Sequence, residues 1–423
     1  MASIDPETLL RDLFDVAVEV ADPMQSLARF LPPRPAGRVV VIGAGKASAR
    51  MAEAVEAEWG PCEGLVITRY GYARLCQGIE IVEAAHPVPD QAGVTATKRM
   101  IALMEGLGDE DFVLALISGG ASSLLVAPLG EITLSEKQAV NQGLLASGAP
   151  IQKMNVVRKH LSRVKGGQLA AAVYPARMLT LMISDVPGDD MAMIGSGPTV
   201  GDASTAADAL AILEDWDISV PPSVSAALAQ GSQVIAPGDL RLSRVTNQIY
   251  AAPKQSLDAA EARARSLGFD VVRLGNDLEG EARDVAKEHA QLALATQAKL
   301  MPGDPPVVIL SGGELTVTRR GDGNGGPNAE YCLALALALN SAPNLWALAC
   351  DTDGVDGGDE VAGARIGPNT LKKAENLSVD PDKSLIENDS HEFFMQIGGQ
   401  IVTGPTLTNV NDFRAILVYP ITS

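Results

Sequence analysis

The chain is short of cysteine, of aromatic residues and of basic runs, and each shortage excludes something. Its four cysteines, Cys62, Cys76, Cys332 and Cys350, stand among 423 residues at spacings that fit neither a disulfide framework nor a zinc site. Cys332 and Cys350 lie among apolar neighbours and read as core residues. Aromatics make up only 4%, so Ala, Val, Leu and Gly are expected to carry the interior. Lys and Arg number 33 against 52 Asp and Glu, a formal charge of -19 without any Lys/Arg-rich run. A field of that sign repels nucleic acid and anionic membranes, and both are set aside as partners. No apolar stretch reaches the roughly 20 residues of a membrane span. The acidic, amphipathic start MASIDPETLLRDLFDVAVEV lacks the basic head and unbroken apolar core of a signal peptide, so a cytoplasmic protein is expected. His86, His160, His289 and His391 accompany no nucleophile elbow and no His/Cys metal spacing.

What is present is apolar sequence in short bursts. Hydrophobic residues make up 46%, and a chain of 423 residues suggests two domains. Five apolar runs end abruptly in small polar or acidic residues. Val39–Ile42 leads into Gly43-Ala44-Gly45-Lys46-Ala47-Ser48, and Val113–Ile117 into Ser118-Gly119-Gly120-Ala121-Ser122-Ser123. Leu179–Ile183 leads into Ser184-Asp185-Val186-Pro187-Gly188-Asp189-Asp190, Val307–Leu310 into Ser311-Gly312-Gly313-Glu314, and Leu345–Cys350 into Asp351-Thr352-Asp353-Gly354. Such runs suit strands buried on both faces of a parallel sheet, and open α/β sheets bind ligands beyond the carboxyl ends of their strands. Strand ends made of Gly, Ser, Asp and one Lys suit phosphate. A helix is expected over residues 5–30, with Asp5 as N-cap and Pro6 at its first position. Strand and helix then alternate to about residue 215. The Pro-containing stretch 215–237 reads as the join between a domain of residues 1–240 and one of residues 241–423.

The motifs fall between familiar patterns. A Walker A loop would need Gly at position 40 and Ser or Thr at 47, where Val40 and Ala47 stand. A dinucleotide fingerprint would need Gly or Ala at Ser48 and an acid after Gly64–Ile67, where Thr68-Arg69 follow. An anion at a helix N-terminus fits better; a tight turn bearing a surface Lys is the plainer alternative. Ser118–Ser123 can aim backbone N–H groups at an oxyanion or be a plain turn. Arg158, Lys159 and Lys165 gather cations in an acidic chain, or mark a solvated basic helix. Asp185, Asp189 and Asp190 can hold Mg²⁺ or accept a proton from a hydroxyl, or occupy a solvated turn. Gly195-Ser196-Gly197 follows closely and can add N–H donors. Asp351–Gly357 fails as an EF-hand, since Asp356 and Ala362 stand where Gly and Glu are required.

Taken in order, these segments resemble the glycerate 2-kinase family, whose C-terminal part is the MOFRL domain. The resemblance rests on GAGKAS, AAHPVPD (84–90), ISGGASSLL (117–125), NVVRKHLSRVKGGQLA (155–170), SDVPGDD (184–190) and GSGPTVGD (195–202). It continues through SGGELTV (311–317), CDTDGVDG (350–357) and TGPTLTNVNDFRAILV (403–418), covering almost the whole chain. It implies two Rossmann-like α/β domains with mostly parallel sheets and an active site in the cleft between them. The implied MOFRL part starts at about residue 305. The implied reaction is ATP- and Mg²⁺-dependent phosphorylation of D-glycerate at its 2-hydroxyl. Similar sequences also carry the label hydroxypyruvate reductase, from tartrate degradation.

Carried over by position, the resemblance puts the catalytic Lys at Lys46 and Asp185, Asp189 and Asp190 in an acidic loop. Catalytic work on the glycerate hydroxyl is expected of Asp185 and Asp189, with an Asp of 351–356 as the alternative. Nucleotide binding would fall on Gly43, Gly45, Ser118, Gly119, Gly120, Ser122 and Ser123, and on Ser196, Gly197, Ser311, Gly312, Gly313 and Glu314. Substrate would meet Asn155, Arg158 and Lys159; Asp190, Asp351 and Asp353 would serve the metal. One departure stands out. Members often read G-(K/R)-G-G-R-N-x-E late in the chain, with an Arg proposed to aid catalysis, whereas Asn324 and Pro327 occupy both basic positions here. Either another cation replaces it, with Arg319, Arg320 and Arg158 as candidates, or turnover or substrate differs. The expected protein is a kinase acting on a small molecule, compatible with a homodimer. The rivals are an NAD(P)H-dependent hydroxypyruvate reductase and a non-catalytic protein binding a phosphorylated metabolite.

Overall fold

The computed structural model describes residues 5–421. Contacts divide the chain into two units: the first is Pro23–Ala251, and the second joins the chain ahead of Pro23 to the chain after Ala251. Among the described residues, no helix is long and apolar enough to cross a membrane.

The first unit is built on six strands: β1 (Val39–Ala44), β2 (Glu63–Arg69), β3 (Ile79–Ala84), β4 (Phe112–Ile117), β5 (Arg177–Ile183) and β6 (Val245–Ala251). Their order is β3-β2-β1-β4-β5-β6, and every pairing is parallel. β1 and β4 are buried at every residue, as their unbroken apolar runs require. Because all six strands point the same way, the turns after β1, β4 and β5 share one edge. Chain order reverses between β1 and β4, the switch point where open α/β sheets leave a crevice.

The second unit holds β7 (Asp270–Gly275), the two-residue β8 (Gly280–Glu281), β9 (Val307–Gly313), the two-residue β10 (Leu315–Thr316), β11 (Leu345–Asp351), β12 (Gly363–Ile366), β13 (Gln400–Ile401) and β14 (Asp412–Val418). Its main sheet runs β13-β12-β11-β14-β9-β7, while β8 pairs with β10 apart from it. Only β7–β9 is parallel there; β14 is antiparallel to both neighbours, as are the β11–β12 and β12–β13 pairs. The expectation of a mostly parallel second sheet is therefore corrected. Continuous apolar runs report that both faces are covered, and say nothing of strand direction. One face packs against residues of helices Ala282–Gln297 and Pro327–Leu339, the other against Pro6–Glu19 and Pro253–Ser266.

Two boundaries differ from the sequence reading. Asp5 caps the opening helix as expected, its carboxylate accepting the Thr8 N–H at 2.9 Å. That helix ends at Glu19, however, and a separate turn starts at Pro23, which has no N–H to continue it. Leu9, Leu10, Leu13 and Phe14 face Leu257, Ala260 and Phe413 in one core, so the opening helix belongs to the second unit rather than to residues 1–240. β6 pairs with β5, which moves the division from about 240 to the 251/252 bond. The expected join at 215–237 holds a helix, Pro222–Ala229, whose Val224 and Leu228 sit in a first-unit core with Leu213.

Candidate functional site

At the switch point the turns after β1 and β4 are bonded to each other. Gly45 has φ +142°, and a Cβ there would lie 2.1 Å from Ser118 Oγ, so only glycine lets the turns approach. The Lys46 N–H donates to Gly119 O at 2.8 Å and the Ala47 N–H to Ser118 Oγ at 3.0 Å. Ser48 Oγ donates to Leu116 O at 2.9 Å, which fixes the start of helix Ser48–Trp59 on β4. A Cβ on Gly120 would come within 3.3 Å of Lys46 Cγ and 3.1 Å of His86 Nε2. The half-buried Lys46 stem and the His86 ring therefore flank the Gly-rich turn. His86 escaped the sequence reading, since it lies in a matching stretch but beside no recognisable partner. Within the turn, Ala121 and Ser123 give their N–H groups to Ser118 O and Gly120 O, so those two donors are spent locally. Gly43 sits inside β1, where a Cβ would be 2.5 Å from Leu116 O; its role is packing.

The third turn follows β5. Asp185 is half-buried, and Asp189 takes φ +55°. One Asp189 oxygen, Oδ1, is buried without a hydrogen-bond partner. Asp190 is exposed, its Oδ1 accepting the Ala192 N–H at 2.9 Å. Mg²⁺ takes one or two carboxylates and completes its octahedron with phosphate oxygens and water. The exposed Asp190 fits that demand. Ser196 and Gly197 follow, and Ser196 Oγ lies 2.8 Å from Ser122 Oγ and donates to Asn155 Oδ1 at 3.0 Å. Asn155, Ser122 and Ser196, expected from separate motifs, are thus brought into one hydrogen-bonded chain.

The basic helix Ile151–His160 splits its cations. Lys159 forms a buried ion pair with Asp202, whose other oxygen accepts the Ser204 N–H at 2.8 Å. Burial pushes the Asp202 pKa up, but Lys159 and Ser204 outweigh it and hold the carboxyl below its ordinary value. The substrate role expected of Lys159 is not what its surroundings favour, because its amine is already engaged. The partner lies 43 residues away and left no local signal. Arg158 Nε donates to Asn141 Oδ1 at 2.8 Å, and burial lowers its pKa. Two further lysines are buried nearby. Lys137 donates to Leu161 O at 3.1 Å and is pushed down to about 8 by burial, with Arg158 adding to the shift. Lys165, in a motif noted for its charge but given no role, reaches Ser122.

The second unit places its expected residues differently. Ser311, Gly312 and Gly313 are not a loop: they are the buried end of β9, in register with Arg414, Phe413 and Asp412 of β14. Glu314 is exposed. Arg414, 1% exposed, donates to Gly312 O at 2.7 Å and to Asp412 Oδ2 at 3.0 Å. Burial raises the Asp412 pKa against the pull of Arg414 and of Asn328. Asp351 Oδ1 accepts the Asp353 N–H at 2.9 Å, and the fully buried Asp353 accepts the Val355 N–H at 2.7 Å, so both brace their own turn. Among the described residues, no three His, Cys, Asp or Glu are grouped to hold a metal. Asp356 accepts the N–H groups of Asn328 and Ala329 at the start of helix Pro327–Leu339. His391 places Nε2 3.0 Å from Asp356 and Nδ1 3.0 Å from Asp359. Burial opposes its charge, but these carboxylates prevail and raise its pKa.

Comparison with known proteins agrees over nearly the full length. A family model described as a domain of unknown function (DUF4147) matches residues 9–229, and the MOFRL family model matches residues 307–412. An Agrobacterium vitis protein, provisionally named a hydroxypyruvate reductase, is 50% identical over 98% of this chain and 95% of its own length. The D-glycerate 2-kinase of Thermotoga maritima is 36% identical over 96% of this chain and 98% of its own. A crystal structure of a glycerate kinase from Thermotoga maritima matches the fold with a TM-score of 0.86 at 34% identity, covering 98% of this chain and all of that one.

Proposed function

The chain belongs to the glycerate kinase family that joins a DUF4147 domain to a MOFRL domain, and from that membership we propose that it transfers the terminal phosphoryl group of ATP to the 2-hydroxyl of D-glycerate, with Mg²⁺. The observation that carries this reading is Lys46, its stem packed on Gly120 at the switch point of a parallel sheet. Phosphoryl transfer asks mainly for positioning and for neutralising the negative charge on the moving group. Lys46 supplies a positive charge to the phosphoryl oxygens, and the Ser118–Ser123 turn offers hydroxyls and backbone donors to the nucleotide phosphates. The buried free oxygen of Asp189, or the half-buried Asp185, accepts the proton as the glycerate 2-hydroxyl oxygen bonds to phosphorus and ADP leaves. Arg158 and Asn155 hold the glycerate carboxylate. Asp190 would hold Mg²⁺, which when bound neutralises charge on the phosphates.

One purified sample assayed two ways tests the reading: ADP release from Mg-ATP with D-glycerate, and NADH or NADPH oxidation with hydroxypyruvate. Glycerate-dependent ADP release is the expected result, with phosphorus NMR of the product assigning the 2-position. Hydride transfer without ADP release would establish the reductase instead. The absence of an acid after β2, where Thr68 donates to Lys46 O at 3.4 Å, weighs against a nicotinamide ribose there. Lys46→Ala is expected to lower kcat about 100-fold or more while leaving the thermal midpoint unchanged.

A further inference from the structure

Lys165 is a buried lysine that this mechanism leaves unused. It is 1% exposed, and its amine donates to Ser122 O at 2.8 Å and Ser122 Oγ at 3.3 Å. The residues directly after it reach a different turn. The Gly166 N–H donates to Ser196 O at 3.1 Å and the Gly167 N–H to Gly197 O at 2.8 Å. The two turns touch: a Cβ on Gly195 would stand 2.9 Å from Ala121 Cβ. One segment thus grips the turns after β4 and β5 on both sides of the Ser122–Ser196 hydrogen bond.

We propose that Lys165 is a positioning residue for phosphoryl transfer, its ammonium fixing Ser122 and, through Ser122, the hydroxyl chain that ties the Ser118–Ser123 turn to Ser196. The proposal rests on the kinase reading. An ammonium only donates. Ser122 Oγ therefore receives from Lys165 and passes its own proton to Ser196 Oγ, and Ser196 donates to Asn155 Oδ1. Each hydroxyl is given a direction. A neutral amine accepts as well as donates, and the chain loses that order. The charged groups facing Lys165 are Lys137 on helix Leu134–Ser147 and Arg158 on helix Ile151–His160; burial first, then these two, push its pKa well below the ordinary lysine value. An anion held at the Ser118–Ser123 turn supplies the counter-charge that favours the ammonium, so phosphate binding and protonation support each other.

The test is steady-state kinetics with Mg-ATP and D-glycerate across pH for wild type, Lys165→Met, Lys165→Arg and Ser196→Ala. Lys165→Met should lower kcat/KM for ATP about 100-fold near neutral pH, raising the ATP KM more than the glycerate KM. Lys165→Arg, which cannot lose its proton, should keep activity within about tenfold of wild type and lose the alkaline fall expected of the wild type. Ser196→Ala should fall between them, and with the Arg variant it decides the matter if Lys165→Met does not fold. Kinetic constants within about twofold of wild type for Lys165→Met or Ser196→Ala, or an unchanged alkaline limb for Lys165→Arg, would overturn the proposal. A wild type that releases no ADP defeats the kinase reading instead. Calorimetric Mg-ATP binding then takes over: weaker binding by Lys165→Met supports the role, and equal binding removes it.

Discussion

Buried charge is closed in one unit and open in the other. In the second unit Asp412 lies 3.0 Å from Arg414, Glu330 2.6 Å from Arg283, and Asp356 3.0 Å from His391. In the first unit Lys165 and Lys137 are buried against neutral oxygens, and only Lys159 meets a carboxylate. Closed pairs hold a shape and ask for nothing more. Open cations keep an appetite for anions, in a chain whose net charge of -19 would otherwise repel them.

The contrast can be broken most forcefully at Arg414. Arg414→Met strands Asp412 in a dry site and should cost the second unit about 3–5 kcal/mol, read by denaturant unfolding. Adding Asp412→Asn should return part of that loss. Lys137→Met should do the opposite to the first unit: removing a strained buried charge is expected to stabilise it by on the order of 2 kcal/mol near pH 7. A loss of stability there would mean the Leu161 hydrogen bond outweighs burial.

Titration sharpens the same contrast. His391 has a folded pKa above 6.5, so its stabilising contribution is complete below that pH and is lost as pH rises through the raised value. Lys137 has a folded pKa near 8 instead of 10.5, so the cost of charging it is full below about pH 8 and fades between the two. Hydrogen exchange read separately for each unit should therefore show the second unit's protection falling above pH 6.5 and the first unit's rising between about 8 and 10.5. The smallest effect belongs to an open surface pair: Arg38→Ala, which breaks the exposed contact with Glu63, should change stability by less than about 1 kcal/mol.

The sequence exposed strands more clearly than it exposed partners. All five apolar runs are strands, and the Gly45, Lys46 and Ser118 turns meet at the switch point because parallel topology leaves them nowhere else to go. The direction of β11 and β14 was hidden, since helices on both faces give an antiparallel strand the same apolar run as a parallel one. Ser311–Gly313 looked like a loop because Gly and Ser are common there, yet the β14 register draws them into the sheet. Lys159 and Asp202, or His391 and Asp356, lie dozens of residues apart, and only the folded chain introduces them. Lys165 was visible as a charge; its burial against Ser122 was not.

The position of β14 also bears on how the protein is made. The first unit is continuous in sequence and can fold once Ala251 has left the ribosome. The second unit cannot close its sheet until residues 412–418 arrive, because they form the central strand between β9 and β11. The opening helix waits for residues 253–266 to bring its first apolar partners, Leu257 and Ala260, and for β14 to bring Phe413; the facing edges of β9 and β11 stay open until β14 arrives. A stop codon just ahead of Asp412 would leave a split sheet rather than a slightly shorter one.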